Sequence, residues 1–173
     1  GKSISVDELE AQGFKGIFVA SGAGLPNFMN IPGENLINIM SSNEYLTRVN
    51  LMDAANPKTD TPINLGKNVL VVGGGNTAMD SCRTAKRLGA NVTLVYRRSD
   101  AELPARAEEV KHAKEEGIKF KTLHNPVEYI SDENGAVKQA VLAIMELGEP
   151  DESGRRSPVD TGKRITIDVD QVV

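Results

Sequence analysis

Gly73-Gly74-Gly75-Asn76-Thr77-Ala78 has the form G-x-G-x-x-A, a spacing suited to holding a pyrophosphate. Gly73 permits a sharp turn out of a strand. Gly75 lets the backbone approach phosphate oxygens with no Cβ in the way, and Gly74 lies between them. Ala78 is small enough for the next helix to pack closely on a sheet. The N-terminus of that helix offers unpaired N–H groups and a partial positive charge. Asn76 and Thr77 can add side-chain hydrogen bonds at the same place.

A second group lies further along. Units of this type that bind NAD carry an Asp or Glu roughly 20 residues past the glycines, where it holds the ribose hydroxyls. Here that position is Tyr96, and Arg97 and Arg98 follow it. A carboxylate would repel a 2′-phosphate, whereas two guanidinium groups bind one through charge-assisted hydrogen bonds. Arg106 is placed to reach the same phosphate. The expected ligand is therefore NADP(H), held by Gly73, Gly74, Gly75, Asn76, Thr77, Arg97, Arg98 and Arg106. No catalytic residue is assigned. One Cys and two His do not make a metal cluster, so no metal site is assigned either. Cys82 falls on the apolar face of a helix and is expected to pack there. His112 on a charged helix and His124 at a strand end have no matched partners and are read as surface or structural.

The elements that would position these residues are legible around them. Asn68-Val69-Leu70-Val71-Val72 is the unbroken branched run of a strand buried on both faces. Asn76 to Leu88 carries Ala78, Met79, Cys82, Ala85 and Leu88 on one helical face, with Gly89 just beyond. Val92 to Val95 is a second strand, which completes a βαβ unit. Pro104 to Glu116 reads as a charged helix and Ile118 to Leu123 as a third strand. The period then changes to two. Val127 to Ile130 and Val137 to Leu147 flank an Asn134-Gly135 hairpin signal, Glu149 to Pro158 reads as a polar loop, and Ile165 to Val169 alternates as another strand. Upstream, Asp7 to Gln12 is helix-compatible, Gly16 to Ser21 reads as a short buried strand ending at Gly22-Ala23-Gly24, and Asn43 to Ala55 reads as a helix. The fold class expected is α/β. It is a Rossmann-like three-layer NAD(P)-binding domain with a parallel sheet and an antiparallel three-stranded meander as crossover.

The chain has 173 residues, 39% hydrophobic and 25% charged, with few aromatics and no Trp. A core of Val, Ile, Leu, Ala and Met follows. The formal net charge of −4 lacks the positive field of a general nucleic-acid binder. No apolar run is long enough to cross a bilayer, and Gly1-Lys2-Ser3 opens no signal peptide, so no membrane partner and a cytoplasmic location are expected.

The sequence also resembles the nucleotide-binding portion of the small (β) subunit of NADPH-dependent glutamate synthase. It is similar as well to that family's close relatives, including the large subunit of NADH-dependent reduced ferredoxin:NADP oxidoreductase. The resemblance runs through Val19 to Pro26, Ile31-Pro32-Gly33-Glu34, Asn43 to Met52, Gly73 to Asp80, Tyr96-Arg97-Arg98-Ser99, Glu102-Leu103-Pro104-Ala105-Arg106 and Leu147 to Arg156. It implies a flavoprotein whose FAD domain is interrupted by the NADPH domain and preceded by an iron–sulfur domain. On that plan residues 1–40 are a remnant of an FAD-domain strand with its interdomain connection, and 41–173 are the NADP(H)-binding domain. FAD and iron–sulfur clusters are then implied in a full-length parent only, with the missing FAD domain and a partner subunit as partners. Asp170 to Val173 resembles the strand that leads back toward the FAD domain. The resemblance implies hydride exchange between NADPH and FAD in the parent, with the 173 residues alone inactive. The alternatives are a ferredoxin:NADP oxidoreductase subunit and a binding-only dinucleotide module. A methyltransferase-like adenosine site is a third, and Arg97 and Arg98 count against it.

Overall fold

The computed structural model describes residues 3–20, 22, 24–152, 154 and 156–173. Gly1 and Lys2 lie outside the described residues. So do Ser21 and Ala23 of the first glycine-rich turn, and Ser153 and Arg155 of the 149–158 loop.

A four-stranded parallel sheet forms the centre. Its strands are β1 (Asn68–Val72), β2 (Asn91–Tyr96), β3 (Lys119–Thr122) and β7 (Gln171–Val172), in the order β3-β2-β1-β7. Side chains alternate across this sheet, and both faces are covered. Val69 and Val71 of β1 and Val92 and Leu94 of β2 join Met79, Cys82 and Ala85 of helix α3 (Asn76–Arg87) and Ala113 of helix α4 (Ala107–Glu115). Leu70 and Val95 point the other way, into a second cluster with Tyr129, Ala140 and Leu142. That cluster is roofed by an antiparallel meander of β4 (His124–Ser131), β5 (Val137–Pro150) and β6 (Arg156–Asp168). Two buried faces explain why β1 reads as a continuous apolar run. The result is the expected three-layer, Rossmann-like fold with its meander.

The local chemistry of the turns follows the sequence. Gly89 and Gly117 have φ of +97° and +82° just past α3 and α4, a conformation glycine adopts freely. Asp132 Oδ1 accepts from the N–H groups of Asn134 and Ala136, which closes the β4–β5 hairpin at Gly135. Arg83 joins the two helices by donating to Glu109 (2.6 Å) and Glu116 (2.8 Å).

Four expectations change. Pro104 precedes its helix instead of opening it. Leu103 is held extended (ψ 123°), as the residue before a proline prefers, so a 3₁₀ turn over Asp100–Glu102 ends there and α4 starts at Ala107. Residues 43–55 are a short α2 (Ser42–Leu46) followed by a π-helical turn (Thr47–Leu51). The polar loop read at 149–158 is shorter, because β5 runs to Pro150 and β6 resumes at Arg156. Finally, the run from Gly16 to Ala20 forms no strand. The sheet ends at β3 and β7, and no described strand pairs with this segment, so its backbone has no ladder to join. Phe18 is 92% exposed and Val19 78%. The remaining upstream helix, α1 (Val6–Ala11), is capped by Ser5 with Glu8. Ile31, Leu36 and Ile39 pack against the cluster beneath the meander.

Candidate dinucleotide site

The carboxyl end of the parallel sheet gathers most of the predicted residues. β1 leads into Gly73, whose φ of +135° excludes ordinary side chains. Its N–H donates to Val95 O at 3.0 Å, so the turn is pinned to the end of β2. Gly75 is the N-cap of α3, and no side chain caps that helix. The N–H groups of Asn76, Thr77 and Ala78 meet no acceptor among the described residues. A Cβ built on Gly75 would enter open space. Gly74 differs. A Cβ there would come within 2.8 Å of both Leu103 Cδ2 and Tyr96 Cδ2, so this glycine is required by protein packing.

At the neighbouring strand end, Tyr96 closes β2 and Arg97 and Arg98 follow. Arg97 is exposed, and Arg98 is only 7% exposed. Arg98 Nε is buried with no hydrogen-bond partner, and no described carboxylate pairs with its guanidinium. A buried, unpaired charge costs several kcal/mol unless an anion reaches it. The backbone carbonyl of Arg98 is occupied, accepting from Leu123 N–H at 2.9 Å.

Arg106 is exposed, and its backbone N–H donates to Asn76 Oδ1 at 2.9 Å. Ala105 N–H donates to Gly74 O at 3.0 Å. Tyr96 Oη donates to Glu102 O at 3.0 Å, while Glu102 caps Ser99 through both its N–H and its hydroxyl. Residues 99–106 thus form a strap fastened across the glycine turn. The sequence marked Arg106 here as a phosphate candidate and Pro104 as a helix start, but offered no strap, and Tyr96, Glu102 and Leu103 were not candidates. Asn76, expected beside the phosphates, spends its side-chain carbonyl on the strap.

On the other side of the turn lies a cavity of about 490 Å³. Gly75, Thr77 and Ala78 form one wall, and the ends of β1 and β7 (Val72, Val172) form its floor. Phe28, Met29 and Met40 supply apolar surface. Glu34 lines it too, but both its oxygens are engaged by the N–H groups of Met29 (2.6 Å) and Asn30 (2.8 Å). Gly33 permits this loop, since a Cβ there would collide with the Tyr129 carbonyl. The signal for this wall was the Ile31-Pro32-Gly33-Glu34 motif. The cavity lies between β1 and β7, while β2 and β3 extend from β1 the opposite way. Open α/β sheets bind ligands at such switch points.

Cys82 is fully buried, and burial pushes its thiol well above the usual range. His124 bonds the Thr122 carbonyl at 2.7 Å, a local structural contact. Among the described residues no group of His, Cys, Asp and Glu side chains could hold a metal ion, and no helix is long and apolar enough to cross a membrane.

The arrangement defines a Rossmann-like α/β domain with an open glycine turn at the carboxyl end of its parallel sheet. Over residues 2–173 the chain matches the pyridine nucleotide-disulphide oxidoreductase family model, and it belongs to that family. It is 39% identical over its whole length to the NADPH-Fe(3+) oxidoreductase subunit beta of Geobacter sulfurreducens, covering 25% of that protein. It is 36% identical to the glutamate synthase (NADPH) small chain of Azospirillum brasilense, with all of this chain and 36% of that protein covered. The resemblance to the glutamate synthase small subunit and related NADPH oxidoreductases is therefore shown, and the chain spans about a third or less of these relatives. Among solved structures, FprA from Mycobacterium tuberculosis in complex with NADPH superposes with a TM-score of 0.72 at 20% identity, over 88% of this chain and 48% of that one. This likeness is one of fold.

Proposed function

We propose that the chain binds NADP(H) across the carboxyl end of its parallel sheet and presents the nicotinamide for hydride exchange with a flavin held by another part of a longer oxidoreductase. The observation that carries this reading is Arg98, a buried side chain whose Nε has no partner and whose guanidinium meets no carboxylate among the described residues, next to a strand end that lacks the ribose-binding acid of NAD sites.

The residues present suit each part of the ligand. The 2′-phosphate would lie against Arg97 and Arg98, with Arg106 alongside. The pyrophosphate would receive the free N–H groups at the start of α3, over the bare face of Gly75. The nicotinamide half would enter the cavity beyond Thr77, where Met29 and Met40 would supply apolar surface that helps to exclude water. The cofactor supplies the hydride chemistry, and this chain supplies binding and orientation. A single buried cysteine cannot ligate an iron–sulfur cluster, which takes several thiolates, so any such cluster would belong elsewhere. We read residues 1–40 as the connection toward the flavin-binding part and 41–173 as the NADP(H) domain. The exposed Phe18, Val19 and Leu25 support this by offering apolar surface for another domain to cover. A partner subunit and FAD belong to this proposal too, on the strength of the relatives' names and domain plan.

Amide chemical-shift mapping tests the reading. Titrated NADPH should move the resonances of residues 73–78 and 97–99 together. A map that leaves both groups unmoved refutes it.

A further inference from the structure

The glycine turn and the arginine cluster are usually considered as two half-sites, one for pyrophosphate and one for the 2′-phosphate. Here they are joined. The strap over residues 99–106 carries Arg106 and is anchored at both ends. At its start the Asp100 carboxylate accepts from Lys114 Nζ of α4 at 2.7 Å, and Ser99 and Glu102 close a capping box. At its end Ala105 N–H meets Gly74 O, and Arg106 N–H meets Asn76 Oδ1. Between these, Leu103 and the Tyr96 ring occupy the space where a Gly74 side chain would be.

We propose that Asn76 is a positioning residue for dinucleotide specificity: its side-chain carbonyl holds the Arg106 end of the strap, and so sets how strongly the site prefers a 2′-phosphate. This rests on the NADP(H) reading above. The geometry separates two roles that the motif alone leaves merged. Asn76 stands at the first position of α3, where a direct phosphate contact would be expected. Its Nδ2 amide could donate to a phosphate oxygen, but its Oδ1, an acceptor, could not. What it does bond is a backbone N–H just before α4. That bond fixes the Cα of Arg106, and with it the reach of an exposed guanidinium on a long, flexible stem. Gly74 serves the same joint from below, since the strap can sit down on the turn only where no Cβ stands. Loss of the bond frees Arg106 without touching the pyrophosphate cradle, whose donors are backbone N–H groups. The effect therefore falls on 2′-phosphorylated ligands.

The test is the NADPH-to-NADH affinity ratio, by calorimetry, in the unmutated protein, Asn76→Ala and Gly74→Ala. One lost hydrogen bond predicts that the ratio drops roughly three- to ten-fold in Asn76→Ala, whatever common loss the missing Nδ2 donor adds to both nucleotides. Hydrogen exchange at the Arg106 amide should accelerate in the ligand-free variant. Gly74→Ala drives a Cβ into both Leu103 and the Tyr96 ring, and so displaces the strap from the turn. It should lower the ratio in the same direction, and it decides the matter should Asn76→Ala fail to fold. Equal losses for both nucleotides in Asn76→Ala would make Asn76 a pyrophosphate ligand and overturn the proposal, as would an unchanged ratio in both variants. Absence of any NADPH preference in the unmutated protein is a separate result, which removes the underlying reading and this inference together.

Discussion

Replacing Gly75 with alanine should separate binding from folding. Gly75 has φ −85° and ψ 176°, which alanine adopts without strain, and an added Cβ meets nothing within 4 Å. Two small effects on stability oppose each other. Alanine is a poorer N-cap than glycine, at a cost of about 0.5–1 kcal/mol. It also restricts the unfolded chain, which contributes about 0.4–1 kcal/mol the other way. The net change stays within about 1 kcal/mol, at most roughly 2–4 °C in Tm for a domain of this size. Binding should respond far more. In the proposed complex the N–H groups of Asn76, Thr77 and Ala78 donate to the pyrophosphate over the bare face of Gly75. A methyl group there forces the phosphates outward. Charge-assisted hydrogen bonds contribute about 1.5–3 kcal/mol each, so loss of two costs about 3–6 kcal/mol. That is roughly a 10²- to 10⁴-fold rise in Kd. Calorimetry with NADPH beside a thermal melt reads both effects. Undiminished binding with an unchanged melt would show that no pyrophosphate approaches Gly75. A melt lowered by 10 °C or so would show that the turn is not built as described.

Three further outcomes follow from the core. Leu70→Ala empties a fully buried site between the sheet and the meander, and should lower the unfolding free energy by about 2–5 kcal/mol in urea titration. Cys82 should resist thiol reagents at pH 8 in the native protein and react at once in denaturant, because burial both shields the sulfur and disfavours its thiolate. Burial first, and the neighbouring Cys82 second, push Tyr45 up to about 12, and burial with the charge of Glu34 raises Tyr129 as well. Both phenols ionise more easily unfolded. Their contribution is thus complete below pH 10 and is lost as the pH rises from there through about 12, by up to about 1.4 kcal/mol per unit for each. The buried Cys82 thiol starts the same loss from about pH 9, so the urea midpoint should begin to fall there and fall more steeply above pH 10.

How much of this was legible depended on whether the determinant was local. The β1–turn–α3–β2 unit was readable because one short stretch contains its whole logic: a run buried on both faces, glycines at the turn, small residues on one helix face. The hairpin at Asn134-Gly135 was readable for the same reason, since Asp132 supplies the closing acceptor from two residues away. The strap was not. Its anchors join Asn76 to Arg106 and Tyr96 to Glu102, and only the folded turn brings them together. The start of α4 was misplaced because Pro104 is equally at home in a first helical turn and after an extended residue, and the strap demands the second. Gly16 to Ala20 had the composition of a buried strand, but composition cannot supply a neighbour to pair with. The cavity wall at Phe28, Met29 and Met40 lies in a segment without periodicity, and only its Pro-Gly-Glu motif hinted at structure. Gly74 was assigned to the cofactor by its motif, whereas packing against Tyr96 and Leu103 is what requires it here.

The claim that this is an NADP(H) site rests most directly on the arginines at the end of β2. Calorimetric titration of the unmutated protein and of Arg97→Ala/Arg98→Ala with NADPH and NADH measures their role. The account predicts tighter NADPH binding in the unmutated protein, and loss of that preference in the double variant with NADH affinity retained. Equal affinity of the unmutated protein for both nucleotides would contradict it.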